Sequence, residues 1–468
     1  MNLKNNALLK RLLKEYEAQY RNDAVAFFSA QAFQRIIEYF IEEQEWDKAV
    51  EATDQAIAQH AFSAEFYIKK AEILLSSNAF QEALEALSIA KLYMPMGIEV
   101  DLLTAKSLIG LGKFELVMDM LEEMKPVSAS NELSEILTIE SLVYLRKGEV
   151  EIAFYTLKTA IEADAKNVEA IERLGEAIEC TRKYEEGIAI YEGLLDKNPY
   201  NAIAWYYLGQ AKAYLGQYDE ALEAYDYAFV IDEGFYNACR ECAELNFELK
   251  RFEKARTYFE HLLNNFESEA DGDLHLDIGK CYLALGHFQS AQIFLRHALR
   301  LDPINEEVLF QIGRCYAKQE KWESAVDYYQ RAADLDQCCE EYLAALGEAH
   351  FHTGSLAEAV EVLEEAISLN EANSRNWVLL ASALMESGKT EDALSILAEG
   401  EEYSLGAEIT YCRIAFLMSI GRRQEALYRL AEALAEDYEG HHTMFEVFPG
   451  LEEDLSVISL IADYSGGI

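Results

Sequence analysis

An alanine recurs about every 34 residues through almost the whole chain, and no other feature limits the fold as tightly. It stands at Ala49, Ala83, Ala153, Ala221, Ala255, Ala291, Ala325, Ala359, Ala393 and Ala426, with Val117 and Gly187 completing twelve positions in phase. The repeats start at residues 30, 64, 98, 134, 168, 202, 236, 272, 306, 340, 374 and 407, so the spacing is 34 apart from two of 36 and a last of 33. A period of this length marks an array in which each repeat is one supersecondary element and its neighbours complete its core. Counted from each start, the alanine is position 20. Position 8 is Gly, Ala or Ser in ten repeats, with Ile37 and Ile414 in the terminal two. Small residues at 8 and 20 let two helices approach closely. Larger ones fill the remaining space at 17 (Trp46, Phe80, Phe252, Trp322) and 24 (Tyr191, Tyr225, Phe259, Tyr329). Position 15 is Gly in seven repeats, which permits the left-handed backbone that ends a first helix. Pro95, Pro199 and Pro303 at position 32 stop a second helix.

The run from Ala204 through Trp205, Tyr206, Tyr207 and Leu208 to Gly209, followed by Gly216, Tyr218, Ala221, Tyr225 and Ala228, resembles the tetratricopeptide repeat (TPR). The resemblance implies an all-α fold, a right-handed α-solenoid of about twelve helix–turn–helix repeats with terminal capping helices. It divides the chain into an N-terminal amphipathic capping helix (1–29), twelve repeats (30–440), and a C-terminal capping helix and tail (441–468). In size and acidity the chain resembles large acidic TPR proteins of the bacterial cytoplasm. It departs from the family where Lys70, Thr104, Glu140 and Arg413 replace the usual Leu at position 7 and Arg423 stands at position 17. These substitutions predict looser or rearranged packing in repeats two to four and twelve. The two longer spacings predict extra loop residues near 125–128 and 268–271.

Composition excludes several functions. With 84 Asp/Glu against 40 Lys/Arg the formal charge is −44, which disfavours nucleic acid and anionic membrane surfaces. Acidic residues hold position 2 in eight repeats, position 18 in eight and position 19 in six, the first turns of the helices, where the dipole favours them. The N-terminus has no uninterrupted apolar region of a secretory signal, since Lys10, Arg11 and Lys14 break it, and no stretch predicts a transmembrane helix. Eight cysteines without a framework of spacings predict reduced thiols and a cytoplasmic protein. Residues outside the repeats are too few for a catalytic domain, and no catalytic or metal-binding motif is present. Cys239 and Cys242 fall at core positions 4 and 7, and His350 and His352 diverge on a helix. The expectation is a non-enzyme without cofactor or metal.

In TPR arrays the first helices line a groove, which the family's geometry assigns to positions 2, 5, 9 and 12. The implied function is a non-catalytic scaffold that binds a peptide or protein segment there. The alternatives are a self-assembling or regulatory protein using its terminal helices, or a sensor of a small ligand or anion in the groove. Candidate groove residues are Glu169, Glu172, Glu176, Glu179, Tyr206, Gln210, Arg240, Glu244, Phe247, Lys280, Phe310, Arg314, Glu348 and Phe351. The four glutamates share one helix face and form an acidic stripe for a basic partner segment. Lys280 and Arg314, with Arg240 and Lys318 near, form either an anion site or a ladder of Glu244–Lys280 and Arg314–Glu348 pairs. Position 12 is apolar in every repeat but the fifth, either as a groove floor or as packing between first helices. The basic segment 1–22, net +3, carries Leu8, Leu9, Leu12, Leu13, Tyr16 and Tyr20 at helical spacing and offers a route to self-association. Leu451, Leu455, Ile458 and Ile461 predict the face of the C-terminal capping helix.

Overall fold

A computed structural model describes residues 7–22, 27–125, 128–266, 272–404 and 406–465. The two predicted loop insertions fall largely outside the described residues, as do the side chains of Leu8 and Tyr20. Among the described residues there are 27 α-helices and no strands. The fold is an all-α TPR-type solenoid of helix pairs.

The chain divides into two compact units, Met1–Ala238 and Cys239–Ile468. In the first, the opening helices of the pairs (A helices) are Ala30–Glu42, Ala64–Ser76, Ile98–Gly110, Ser130–Lys147, Val168–Thr181 and Ala202–Tyr214. In the second, they continue as Gly272–Ala284, Glu306–Ala317, Glu340–Thr353, Ser374–Glu386 and Ala407–Ser419. The A helix of repeat seven is Tyr236–Glu248. In repeat four the A helix begins a turn before residue 134. Every second (B) helix starts at position 17, from Trp46 to Arg423.

Position 15 explains how each pair turns. All twelve residues there have positive φ, and no other described residue does. Seven are glycines, with φ between 72 and 84°. The other five are Gln44, Asn78, Arg182, Lys250 and Glu320, at 56–61°. An L-residue is strained in this region, so the turn is imposed by the helix packing on either side.

That packing follows the small positions. Position 20 is fully buried in all twelve repeats, as is position 8. A Cβ added to Gly209 would sit 2.7 Å from the ring of Tyr225, and one on Gly313 would sit 2.6 Å from Tyr329. The position-24 side chain therefore lies flat on the glycine of its own repeat. Gly175 instead receives Tyr207 from the next repeat. Each buried ring of this kind contributes about 2–3 kcal/mol of transfer free energy.

The polar residues at position 7 each find a partner within the chain. Lys70 pairs with Asp54 at 2.6 Å, Glu140 with Lys125 at 2.9 Å and Arg413 with Glu401 at 2.5 Å. Thr104 returns its hydroxyl to the Val100 carbonyl at 2.7 Å. In the three charged cases the partner comes from the preceding B helix or its end, so the ion pair spans the contact that leucine would fill.

Both ends are covered by helices. Ala7–Asn22 buries Leu9, and buries Tyr16 in a cluster with Phe28, Phe33 and Phe40, leaving Lys10, Arg11 and Lys14 exposed. At the other end a short helix (Thr443–Val447) and two 3-10 turns lead into Leu455–Ser465. Of the four expected face residues, Leu451 is buried and Ile461 packs against the core, but the other two do not. Leu455 is 83% exposed and Ile458 43%, whereas Val457 is fully buried. Leu460, Ile461 and Tyr464 pack beside it. Asp454 caps the helix start by accepting from the Ser456 and Val457 amides, and this capping turn sets the rotation.

Candidate functional site

The A helices carry most of the candidate residues, and the structure separates them into paired, buried and free groups. In repeat five, Glu169 accepts from Lys106 at 2.9 Å, Glu176 from Arg173 at 3.1 Å and Glu179 from the Tyr214 hydroxyl at 3.0 Å. Of the four glutamates only Glu172 has no partner among the described residues. The charge crowding of the stripe is thus largely relieved inside the chain. Tyr206 lies half-buried, its ring 5.1 Å from Phe235 and 5.8 Å from Tyr225. Gln210 lies beside Tyr207 and Tyr214 in a narrow crevice.

The ladder does not form as expected, and of the four cations of the alternative anion site Arg240 and Lys280 are paired within the chain. Lys280 pairs with Glu307 at 2.9 Å, Glu348 with Arg375 at 2.7 Å, and Glu244 with Arg240 at 2.6 Å. Arg240 also reaches Asp277 at 3.2 Å. Lys280 and Glu348 thus pair from position 9 of one A helix to position 2 of the next, because helical side chains lean toward the N-terminus of their own helix, whereas Glu244 pairs along its own helix. Arg314 donates to the side chain of Gln311 at 3.2 Å and has no carboxylate partner among the described residues. Asp277 is pushed up to about 6 by burial, which outweighs the pull of Arg240 and Lys280.

Phe310 proves to be a core residue, 3% exposed, its ring 5.5 Å from Tyr329 and 4.8 Å from Tyr342. Phe247 is half-buried against Phe252 at 5.3 Å, and Phe351 contacts His352. No apolar residue at position 12 is exposed: Ile109 and Leu283 are buried and the others half-buried, and Ala317 among them lines a cleft.

Three of the fourteen candidates, Phe310, Arg314 and Glu348, meet at one place. The A helices of repeats nine to eleven border a cleft of about 610 Å³. Ala317, Ala344, Ala345 and Leu379 supply apolar surface, and His352 stacks on Trp322 at 4.0 Å to make an aromatic wall. Asn373 and Asn376 both donate to Glu340 on the far side. Sequence reasoning missed Trp322, His352, Asn373 and Asn376. The available signal was size at position 5, which runs Tyr206, Arg240, Leu276, Phe310 and then drops to Ala344. The drop leaves the space.

No three described His, Cys, Asp or Glu residues are grouped to hold a metal ion. Cys239 and Cys242 are buried, and burial pushes the Cys281 and Cys315 thiols up to about 12. No described helix is long and apolar enough to cross a membrane.

Comparison with known proteins bears on the repeat itself. Models of the tetratricopeptide repeat match residues 35–94, 179–234, 276–338 and 310–376, and a second such model matches 350–406. The chain is a tetratricopeptide repeat protein. No curated protein matches it. Among solved structures, this TPR protein is similar to YrrB, "a TPR protein with an unusual peptide-binding site", at 20% identity and a TM-score of 0.34, over 40% of this chain and 95% of that one. It is similar to a chain of the APC/C hetero-tetramer Cut9–Hcn1 at 14% identity and a TM-score of 0.37, over 93% and 96%. It is also similar to MamA at 16% identity and a TM-score of 0.33, over 35% and 95%. None of these three likenesses bears on the geometry of the cleft. TPR arrays are in general protein-interaction scaffolds without catalytic chemistry, and this TPR protein is a scaffold in that general sense.

Proposed function

We propose that this TPR protein holds a polypeptide segment of a partner protein in the cleft bordered by repeats nine to eleven. The observation that supports it is the composition of that cleft. An apolar floor, an aromatic wall and side-chain amides, gathered from repeats nine to eleven, suit a chain that offers side chains and peptide groups together. Elsewhere on the A helices the described basic side chains mostly have carboxylate partners within the chain. The role is non-catalytic, and the eight free cysteines support a reducing, cytoplasmic setting.

Filling the cleft tests the reading. Random dodecapeptides selected on the full-length protein should lose about tenfold or more in affinity for the Ala344→Trp variant, with the thermal midpoint unchanged. Selected peptides that bind wild type and variant equally would place the interaction elsewhere and refute the cleft.

A further inference from the structure

We propose that the cleft selects an acidic segment: the occupant carries one or two carboxylates that sit at Arg314 and Lys318, and gives a main-chain N–H to Asn376. The inference rests on the cleft being the binding site and names what enters it.

The first argument is the disposition of cations. The chain holds 84 acidic side chains against 40 basic ones, so a cation finds a carboxylate easily. Along the A helices of the second unit, Arg240, Lys280, Arg375 and Arg413 have all done so. Arg314 and Lys318 have not. They stand one helical turn apart, both exposed, both lining the cleft, with no carboxylate partner among the described residues. Arg314 is held in place by Gln311 and lies over the Phe310 ring at 5.8 Å, so the guanidinium is oriented before any ligand arrives. Two like charges this close are unfavourable unless an anion joins them.

The end of helix Glu306–Ala317 attracts cations through its dipole, which by itself explains a basic residue there. A second, independent feature points to a ligand. Asn376 lines the same cleft, is fully buried, and uses its amide nitrogen on Glu340, while its Oδ1 accepts nothing. A buried acceptor without a donor is costly to leave unmade. A peptide N–H satisfies it; a simple anion does not.

The remaining acids set the limit on charge. Glu340 is held by the two asparagines and Glu348 by Arg375, but Glu320 and Glu341 also line the cleft and are exposed. A polyanion would meet them. A segment with one or two acids placed opposite Arg314 and Lys318 would not.

The test uses the full chain and the most enriched peptide from the dodecapeptide selection, N-acetylated, C-amidated and fluorescein-labelled. Its Asp and Glu residues are changed singly to Asn and Gln, and binding is read by fluorescence anisotropy to wild type and to an Arg314→Gln/Lys318→Gln variant. We expect Asp and Glu to be enriched in the selection. Neutralising the contacting acid should weaken binding about tenfold in wild type and less than about twofold in the variant. A control substitution, Glu172→Gln, should change neither value. A peptide pool without acids, or an equal loss in both proteins, would overturn the acidic inference while leaving the cleft standing if Ala344→Trp still blocks binding. Failure to select any peptide that Ala344→Trp blocks would overturn both. Competition by free glutamate as strong as that by the peptide would show a small-molecule site and overturn the assignment to a segment.

Discussion

Replacing Gln44, Arg182, Lys250 and Glu320 by glycine should stabilise the array, although no contact is gained. All four sit at position 15 with φ of 56–58°. An L-residue there costs about 1–2 kcal/mol. Glycine removes that cost and returns about 0.5–1 kcal/mol through its greater freedom in the unfolded chain. The net is about 0.5–1 kcal/mol per site. The sites lie in four different repeats, so their effects should add to about 2–4 kcal/mol. Asn78 is left alone because asparagine tolerates the conformation. The converse substitution isolates the backbone contribution. Gly216 has φ 77° and open space where a Cβ would be built, so Gly216→Ala should cost about 1 kcal/mol through conformation alone. Gly209→Ala, in the same repeat, drives a Cβ into the Tyr225 ring and costs through packing instead. Urea unfolding followed by far-ultraviolet circular dichroism reads both series. Each substitution should move the transition of the repeats around it, because solenoid repeats couple mainly to their neighbours. An unchanged midpoint for the fourfold glycine variant, or a neutral Gly216→Ala, would refute the claim that packing imposes these turns.

Other perturbations follow from the same structure. Glu140 is 6% exposed and paired with Lys125, so Lys125→Ala should cost about 3 kcal/mol, whereas Lys125→Ala with Glu140→Leu should fall within about 1 kcal/mol of wild type in urea unfolding. Asp277 is raised in the folded state above its unfolded value, so its contribution is present at about pH 4 and lost as pH rises through about 6. The stability of wild type relative to Asp277→Asn should therefore fall across that window, by at most about 3 kcal/mol, and be flat above about pH 7. At the C-terminal helix, Leu455→Lys should be neutral within about 0.5 kcal/mol, while Val457→Asp should cost about 3 kcal/mol or more in thermal unfolding.

The repeat phase carried most of the architecture because it is a packing rule written many times. Alanine at position 20 and small residues at position 8 mean the same thing wherever they occur, and so does glycine at 15. Lys250 and Glu320 show the limit: the phase places a left-handed residue there, but the residue type gives no sign of it. The site was less legible. Position labels assume that equal positions face each other, and the lean of helical side chains shifts the partner by about two turns, so Lys280 found Glu307 rather than Glu244. Phe310 was assigned to the groove by position and does border the cleft, yet most of its ring is buried between Tyr329 and Tyr342. The C-terminal stripe was read correctly at Leu451 and Ile461 but not at Leu455 and Ile458, because the capping turn at Asp454 has no periodicity to read. A cleft arises where side chains become small, and a motif search looks for residues that are present.

Hydrogen exchange measured with and without the selected peptide addresses the scaffold reading most directly. Saturating peptide should slow amide exchange in the three A helices Glu306–Ala317, Glu340–Thr353 and Ser374–Glu386. It should leave Val168–Thr181, which carries the acidic stripe, unchanged. Protection centred on that helix, or on the terminal helices Ala7–Asn22 and Leu455–Ser465, would contradict the account.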